Sequence, residues 1–369
     1  MRSEWTAISD DLGPEKVILL REPKIGLEGI LVVDNTAAGP AIGGIRMALD
    51  ITVDEVARLA RAMTFKNAAA GLRHGGGKAG IVGDPTMLPH EKERLVRAFG
   101  VAIRDIVDYI PGPDMGIDEA CMAALYDEIG RVVGLPRALG GIPLDTLGAT
   151  AFGLAIAAEV ADEFGVVDLA GSRVVVQGFG AVGAHAARFL VERGAIVVAV
   201  SDSRGGMADP SGLDIEKLLL WKSAGNPVSE FAGGTAIAHE ALIGYPCDIW
   251  IPAARPDVFT AANAATVAAR LILPGANIPA TADAERIFHE RGVLMIPDFI
   301  ANAGGVICGA VEYAGGNATH AFATIEERVR DNTREVLKRW QRSGDLPSVV
   351  AIDMAGERVR EAMTYRRSF

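Results

Sequence analysis

Lysine is scarce in this 369-residue chain. Only eight positions carry it (Lys16, Lys24, Lys66, Lys78, Lys92, Lys217, Lys222 and Lys338), and Arg supplies the other 28 basic residues. Acidic residues outnumber basic ones 47 to 36, for a net charge of −11. With no basic stripe to neutralise phosphates, nucleic-acid and anionic-membrane partners are not expected. Cys121, Cys247 and Cys308 lie far apart and form no C-x-x-C pair, which suits a reducing, cytoplasmic compartment. The six histidines show no H-x-x-x-H spacing, so no metal site is expected. The N-terminal residues MRSEWTAISDDLGPEK lack the apolar core of a signal peptide. The longest apolar run, Leu147 to Ala158, has 12 residues. That is too short for a bilayer and reads as a buried helix.

Apolar residues and glycine are plentiful. Half the residues are hydrophobic, enough for a buried core and the opposite of a disordered composition. Glycine occupies 43 positions without a G-x-y period, which excludes collagen. The length suggests two or three domains.

The first third mixes strands and helices. Gly29–Asp34 suits a strand. Thr52-Val-Asp-Glu55 reads as a capping box, opening a helix with apolar residues at Val56, Leu59, Ala60 and Met63 that stops near Gly71. A second helix is expected over Glu91–Val107, and Pro111-Gly-Pro113 predicts a turn. From about residue 172 the pattern becomes β-α-β-α: strands at 174–176, 196–200, 248–251, 271–273 and 293–296 alternate with helices at 183–193 and 213–221. This implies a parallel sheet covered on both faces. The alanine-rich 261–269 stretch reads as helix, and 326–340 and 349–363 as amphipathic helices.

Gly178-Phe179-Gly180-Ala181-Val182-Gly183 follows the first of those strands and opens a helix. The first glycine permits the turn, the second lets backbone approach a pyrophosphate, and the third lets helix and strand pack closely. Asp202, 24 residues after Gly178, stands where a carboxylate would accept a ribose hydroxyl. It favours NAD, because it would repel a 2′-phosphate. Arg204 nearby keeps NADP open.

Lys66 and Lys78 lie 12 residues apart in MTFKNAAAGLRHGGGKAGI, residues 63–81. Lys66 falls near the end of the amphipathic helix, and Lys78 follows three glycines. A lysine in a dry cleft beside another cation has a lowered pKa and can act as a base. Asp114, in Pro111-Gly-Pro-Asp-Met-Gly116, is an acid in a rigid setting. Taken singly, each also fits a solvated or turn-forming residue.

Together these stretches resemble the glutamate/leucine/phenylalanine/valine dehydrogenases, which oxidatively deaminate L-amino acids with a nicotinamide cofactor. The likeness runs from about Gly39 to Tyr313. It rests on Gly43-Gly-Ile-Arg46, the 63–81 segment, Pro111-Gly-Pro-Asp114, the fingerprint, Pro274-Gly-Ala-Asn277 and Pro297-Asp-Phe-Ile-Ala-Asn-Ala-Gly-Gly305. The resemblance implies an α/β protein of two domains with the active site in the cleft between them. An N-terminal substrate-binding and oligomerisation domain would cover 1–146, with helices 336–369 packing back on it, and a Rossmann-type dinucleotide domain 147–335. It implies a homo-oligomer acting on small molecules. Lys66 would pair with the substrate α-carboxylate, with the Gly43–Gly44 backbone at the same end. Lys78 would activate water, and Asp114 would move protons to and from the amino group. Thr150, Ser203, Ala253, Ala254, Asn277 and Asn302 would join the fingerprint and Asp202 in holding the cofactor.

The pocket departs from glutamate-specific relatives. They hold the distal carboxylate with a lysine just before the Gly-Gly and a serine downstream of Asn-Ala-Gly-Gly; here those positions are Ile42 and Gly309. A distal carboxylate would lack its partners, a penalty of several kcal/mol. Gly112 and Gly309 are expected to leave volume, with Val306 as another wall. A bulky aliphatic or aromatic substrate is therefore expected. The alternatives are a glutamate dehydrogenase anchored by Arg46 or Arg73, an inactive NAD-binding relative, or a hydroxy-acid dehydrogenase. For the last, His74 is the nearest candidate base, and it reads as a structural residue.

Overall fold

The apolar and glycine-rich segments of the first third pair into one five-stranded sheet. In the computed structural model, which describes residues 9–366, its strands are β1 (Lys16–Glu22), β2 (Leu27–Asn35), β3 (Ala41–Ala48), β4 (Gly75–Val82) and β5 (Tyr109–Pro113), in the order β1-β2-β4-β3-β5. β2 is antiparallel to β1 and β4, whereas β3 is parallel to β4 and β5. Alternation along β2 feeds two cores. Leu27, Leu31 and Val33 join Phe99 and Leu125, while Ile30 and Val32 join Val56, Ala57 and Ala60 of helix α1 (Val53–Ala69). The glycines of β4 let α1 lie close: a Cβ at Gly76 would fall 2.0 Å from the Thr64 nitrogen.

Thr52 caps α1 by accepting from the Glu55 N–H, as expected. The Glu55 carboxylate goes to Arg46 instead of closing the capping box. Helix α2 (Pro89–Ala102) ends five residues before the expected Val107. The Arg131 guanidinium takes the carbonyls of Ile103 and Ile106 at 2.7 and 3.0 Å, holding the chain in turns there. Pro111-Gly-Pro113 is not a turn but belongs to the edge strand β5, where prolines without N–H groups are tolerated. The turn follows at 114–117, where the Ile117 N–H donates to the Asp114 carbonyl and Gly116 has φ +80°. Helix α3 (Glu119–Ile129) comes next, capped by Asp118.

In the second unit, the short α4 (Leu144–Leu147) precedes α5 (Ala149–Glu163), whose apolar faces are mostly buried. Residues 144–163 together are long and apolar enough to cross a bilayer, yet most of that window is buried within the protein. The sheet comprises β6 (Arg173–Gln177), β7 (Ile196–Asp202), β8 (Gly205–Ala208), β9 (Thr235–Ile237), β10 (Ile249–Pro252), β11 (Leu271–Ile272) and β12 (Leu294–Met295), in the order β12-β11-β10-β6-β7-β8-β9. The strands from β12 through β7 pair in parallel, whereas β8 is antiparallel to both β7 and β9. The expected parallel sheet is thus mixed, because Asp202 pairs with Gly205 across a tight return. Helices α6 (Ala181–Val191) and α7 (Ile215–Ser223) follow β6 and β8. The alanine-rich 261–269 stretch is not a helix. The Asn263 side chain bonds the backbone of Val258 and Thr260, leaving one 3-10 turn at Ala264–Thr266.

Further along are α8 (Ala282–Glu290), α9 (Asp298–Ala301), α10 (Gly304–Tyr313), α11 (Ala318–Ser343) and α12 (Pro347–Thr364). One compact unit holds residues through Leu144, 306–321 and those from Ile352 onward; the other holds 145–305 and 322–351. The C-terminal helices are therefore shared between the units rather than given whole to the first.

Candidate functional site

In the first unit, the adjacent strands β4, β3 and β5 bring a lysine, an arginine and, just past the end of β5, an aspartate together. Lys78 of β4 pairs with Asp114 Oδ2 at 2.9 Å, and Arg46 Nε of β3 donates to the same oxygen at 3.0 Å. Arg46 Nη1 reaches Glu55 Oε1 at 2.8 Å. The parallel register of β3 with β4 and β5 makes this possible, setting Ile45 opposite Ala79 on one side and Pro113 on the other. Gly44 is the enabling residue, since a Cβ there would fall 2.8 Å from Asp114 Cβ and 3.2 Å from Lys78 Nζ. Gly43 is constrained more tightly still, since a Cβ there would fall 1.6 Å from the Gly77 carbonyl oxygen.

Only 7% of the Lys78 side chain is exposed. Burial, reinforced by the Arg46 charge, holds its ammonium below the ordinary lysine value against the pull of Asp114 and Glu55. Burial pushes Asp114 up, but Lys78 and Arg46 outweigh it and keep the carboxyl below its usual range. The Tyr109 hydroxyl donates to the Gly43 carbonyl at 2.8 Å, and burial raises its pKa well above the usual value.

Lys66 lies half-buried in the last turn of α1. The next residue, Asn67, donates from Nδ2 to the carbonyls of Ile42 and Gly75, tying the helix end to β3 and β4. Asn67 was missed in the sequence; a polar residue on the apolar face of α1 was its only signal. Ile42 joins Ile110, Val133 and Ala310 in a buried apolar cluster, with Leu72 packed against it. The volume expected beside Gly112 and Gly309 is bounded by Val133, whose side chain would stand 2.9 Å from a Cβ at 112 and 3.5 Å from one at 309. Val133 was also missed, because its segment carries no local motif. Val306 is partly exposed on α10. Arg46 is already held by two carboxylates, and Arg73 is exposed. His74 contacts the Pro40 carbonyl and the edge of Tyr313.

In the second unit the fingerprint has the expected form. Gly178 has φ +90°, where a side chain would be strained and would meet the Ala253 carbonyl and Ala254. A Cβ at Gly183 would lie 2.0 Å from the Gly178 carbonyl, whereas one at Gly180, at the exposed start of α6, would meet nothing. Phe179 is buried; Ala181 is exposed and Val182 half-buried. A nucleotide phosphate fits this open backbone. Beside it lies a cleft of about 600 Å³ lined by Gln177, His239, Arg255 and Asn263 among others. Gln177 is buried with Oε1 unpartnered among the described residues. Asn302 Nδ2 donates to Asn277 Oδ1 at 3.1 Å, and Thr150 lies against Gly305.

Asp202 departs from expectation. Oδ2 takes the Lys222 ammonium at 2.6 Å and the Val228 N–H at 3.0 Å, and Oδ1 takes the Arg204 N–H at 2.8 Å. Burial opposes ionisation, but Lys222 and these N–H donors hold the carboxyl below its usual range. With its charge balanced by Lys222, Asp202 no longer argues against a 2′-phosphate. Ser203 beside it is exposed.

Comparison with known proteins accords with this arrangement. Residues 14–131 match the model for the Glu/Leu/Phe/Val dehydrogenase dimerisation domain, and 140–367 that for Glutamate/Leucine/Phenylalanine/Valine dehydrogenase. The chain is 40% identical over 328 residues to a glutamate dehydrogenase of Aeropyrum pernix, covering 84% of this chain and 78% of that one. It is 39% identical to an NADP-specific glutamate dehydrogenase of Saccharolobus shibatae, covering 96% and 90%. A hetero-hexameric glutamate dehydrogenase structure from Thermus thermophilus, in a Leu-bound form, superposes with a TM-score of 0.86 at 32% identity, covering 96% of this chain and 91% of that one. The chain therefore belongs to the Glu/Leu/Phe/Val dehydrogenase family of NAD(P)-dependent amino acid dehydrogenases.

Proposed function

We propose that the protein reversibly converts a hydrophobic L-amino acid and water to the 2-keto acid and ammonia, reducing NAD(P)⁺. The observation that carries this reading is the buried Lys78 paired with Asp114 across Gly44. Lys66 and the Gly43–Gly44 backbone hold the α-carboxylate, fixing the Cα–H bond for transfer. A bound nicotinamide would supply the hydride acceptor for the substrate Cα–H bond. Lys78, as the neutral amine, takes a proton from the water that adds to the resulting substrate imine. Asp114 relays a proton to the nitrogen, which leaves as ammonia as the keto group forms. The glycine fingerprint, Asn277, Asn302, Thr150, Ala253 and Ala254 hold the dinucleotide. The chain acts as a homo-oligomer, in line with its match to a dimerisation domain.

The side-chain pocket is assigned to Ile42, Gly112, Val133, Val306 and Gly309. Its buried members are apolar, and the nearby Arg46 is already paired. Val133 narrows the space, favouring branched aliphatic substrates ahead of aromatic ones. The second reading, a glutamate dehydrogenase, is favoured by the names of the relatives. The Asp202–Lys222 pair supports acceptance of both NAD and NADP.

A panel of leucine, valine, phenylalanine and glutamate with each cofactor tests this. A kcat/KM for glutamate above that for leucine and phenylalanine overturns the hydrophobic reading. Oxidation of NAD(P)H by a 2-keto acid without need of ammonia overturns deamination altogether. Lys78→Ala is expected to cut turnover by about 10² or more with NADH binding retained.

A further inference from the structure

Two cations share one oxygen of Asp114. Lys78 Nζ stands 2.9 Å and Arg46 Nε 3.0 Å from Oδ2, while Oδ1 accepts no hydrogen bond from any described residue. Arg46 is itself fixed from the other side by Glu55, in the first turn of α1. Its side chain is only 20% exposed, so this is not one of the solvated surface pairs that contribute little.

We propose that Arg46 is a positioning residue for catalysis, anchoring Asp114 through Oδ2 so that Oδ1 exchanges the proton with the substrate nitrogen, with Glu55 holding Arg46 in place. This role rests on those proposed for Lys78 and Asp114 and on what differs between the two cations. A lysine that serves as a base must lose its charge in each turnover, and at that moment it stops attracting Asp114. An arginine stays charged at every working pH. Arg46 therefore keeps the carboxylate in place while Lys78 is neutral. The proton count is conserved: a proton leaving the substrate nitrogen arrives on Oδ1 and returns from it, and Oδ2 keeps its N–H donor throughout. The charged and titratable groups around Asp114 are Lys78 of β4, Arg46 of β3, Glu55 of α1 and, at longer range, Tyr109 of β5. Arg46 favours the charged Asp114 and disfavours the charged Lys78. Its removal therefore moves both groups the same way, upward.

The test compares Arg46→Met, Arg46→Lys and Glu55→Gln with the unaltered enzyme. The readouts are the pH profile of kcat with the best amino acid of the panel, the KM for the cofactor, and thermal unfolding. Arg46→Met is expected to lower kcat about 100-fold and to move the acid limb of the profile to higher pH, with cofactor KM within twofold. Arg46→Lys, which restores charge without the planar fork, is expected to recover part of the rate, and Glu55→Gln to lose about tenfold with the acid limb moved to lower pH, because the Glu55 charge holds the Lys78 value up. A profile and kcat within twofold of the unaltered enzyme in Arg46→Met, or in Glu55→Gln should the former not fold, would overturn the proposal. Inactivity of the unaltered enzyme on every amino acid would instead overturn the underlying functional reading.

Discussion

A methyl group at position 44 would stand 2.8 Å from both Asp114 Cβ and the Pro113 carbonyl. One at 309 would meet Val133 at 3.5 Å, an ordinary contact. Gly44→Ala is therefore expected to destabilise by about 1–3 kcal/mol and to lower kcat at least tenfold by displacing Asp114 or Lys78. Gly309→Ala should fold as the unaltered chain does. Thermal unfolding and steady-state rates on the two variants check both statements. Lys78, Asp114 and the glycines around them were legible because they sit in dense local motifs. Val133 and Asn67 were not, since each acts through contacts with residues distant in sequence.

Helix α10 shows the same limit for an element. Its sequence GGVICGAVEY is apolar apart from Glu312, so the anomaly is visible but its partners are not. In the fold, Glu312 is nearly buried and accepts three backbone N–H groups, from Gly134 and Leu135 on Oε1 and from Ile142 on Oε2. It thereby pins to α10 the 134–142 segment, which begins just after Val133. Glu312→Gln turns an amide donor toward at least one N–H and is expected to cost about 2 kcal/mol. Hydrogen exchange should speed up at the amides of Gly134, Leu135 and Ile142. Unchanged protection there would show that the carboxylate does not hold the segment. The strand at Pro111–Pro113 was misread as a turn for a related reason: proline and glycine report local preference, whereas an edge position in a sheet is a tertiary fact.

Across the second unit, one carboxylate links three segments. Glu159 of α5 meets Arg193 Nε at 2.5 Å and also pairs with Arg330 of α11. Burial raises its pKa, but the two guanidinium partners outweigh it and hold the value below the ordinary one. A carboxyl lowered in this way stabilises the fold above its unfolded value, about 4.3, and loses that contribution as pH falls through the folded value. Between pH 7 and pH 3, urea unfolding of the unaltered chain should therefore lose more stability than that of Glu159→Gln. Equal losses would remove Glu159 from the acid response. At this scale the sequence by itself determined the α/β alternation, the glycine fingerprint and the candidate lysines and aspartate, because spacing and glycine content act locally. Only the tertiary structure decided that Asp202 is neutralised by Lys222, that Arg46 and Lys78 share one oxygen of Asp114, and that Val133 occupies the space beside two glycines. Each of these depends on strand register and on side chains brought together from distant parts of the chain, which no local pattern encodes.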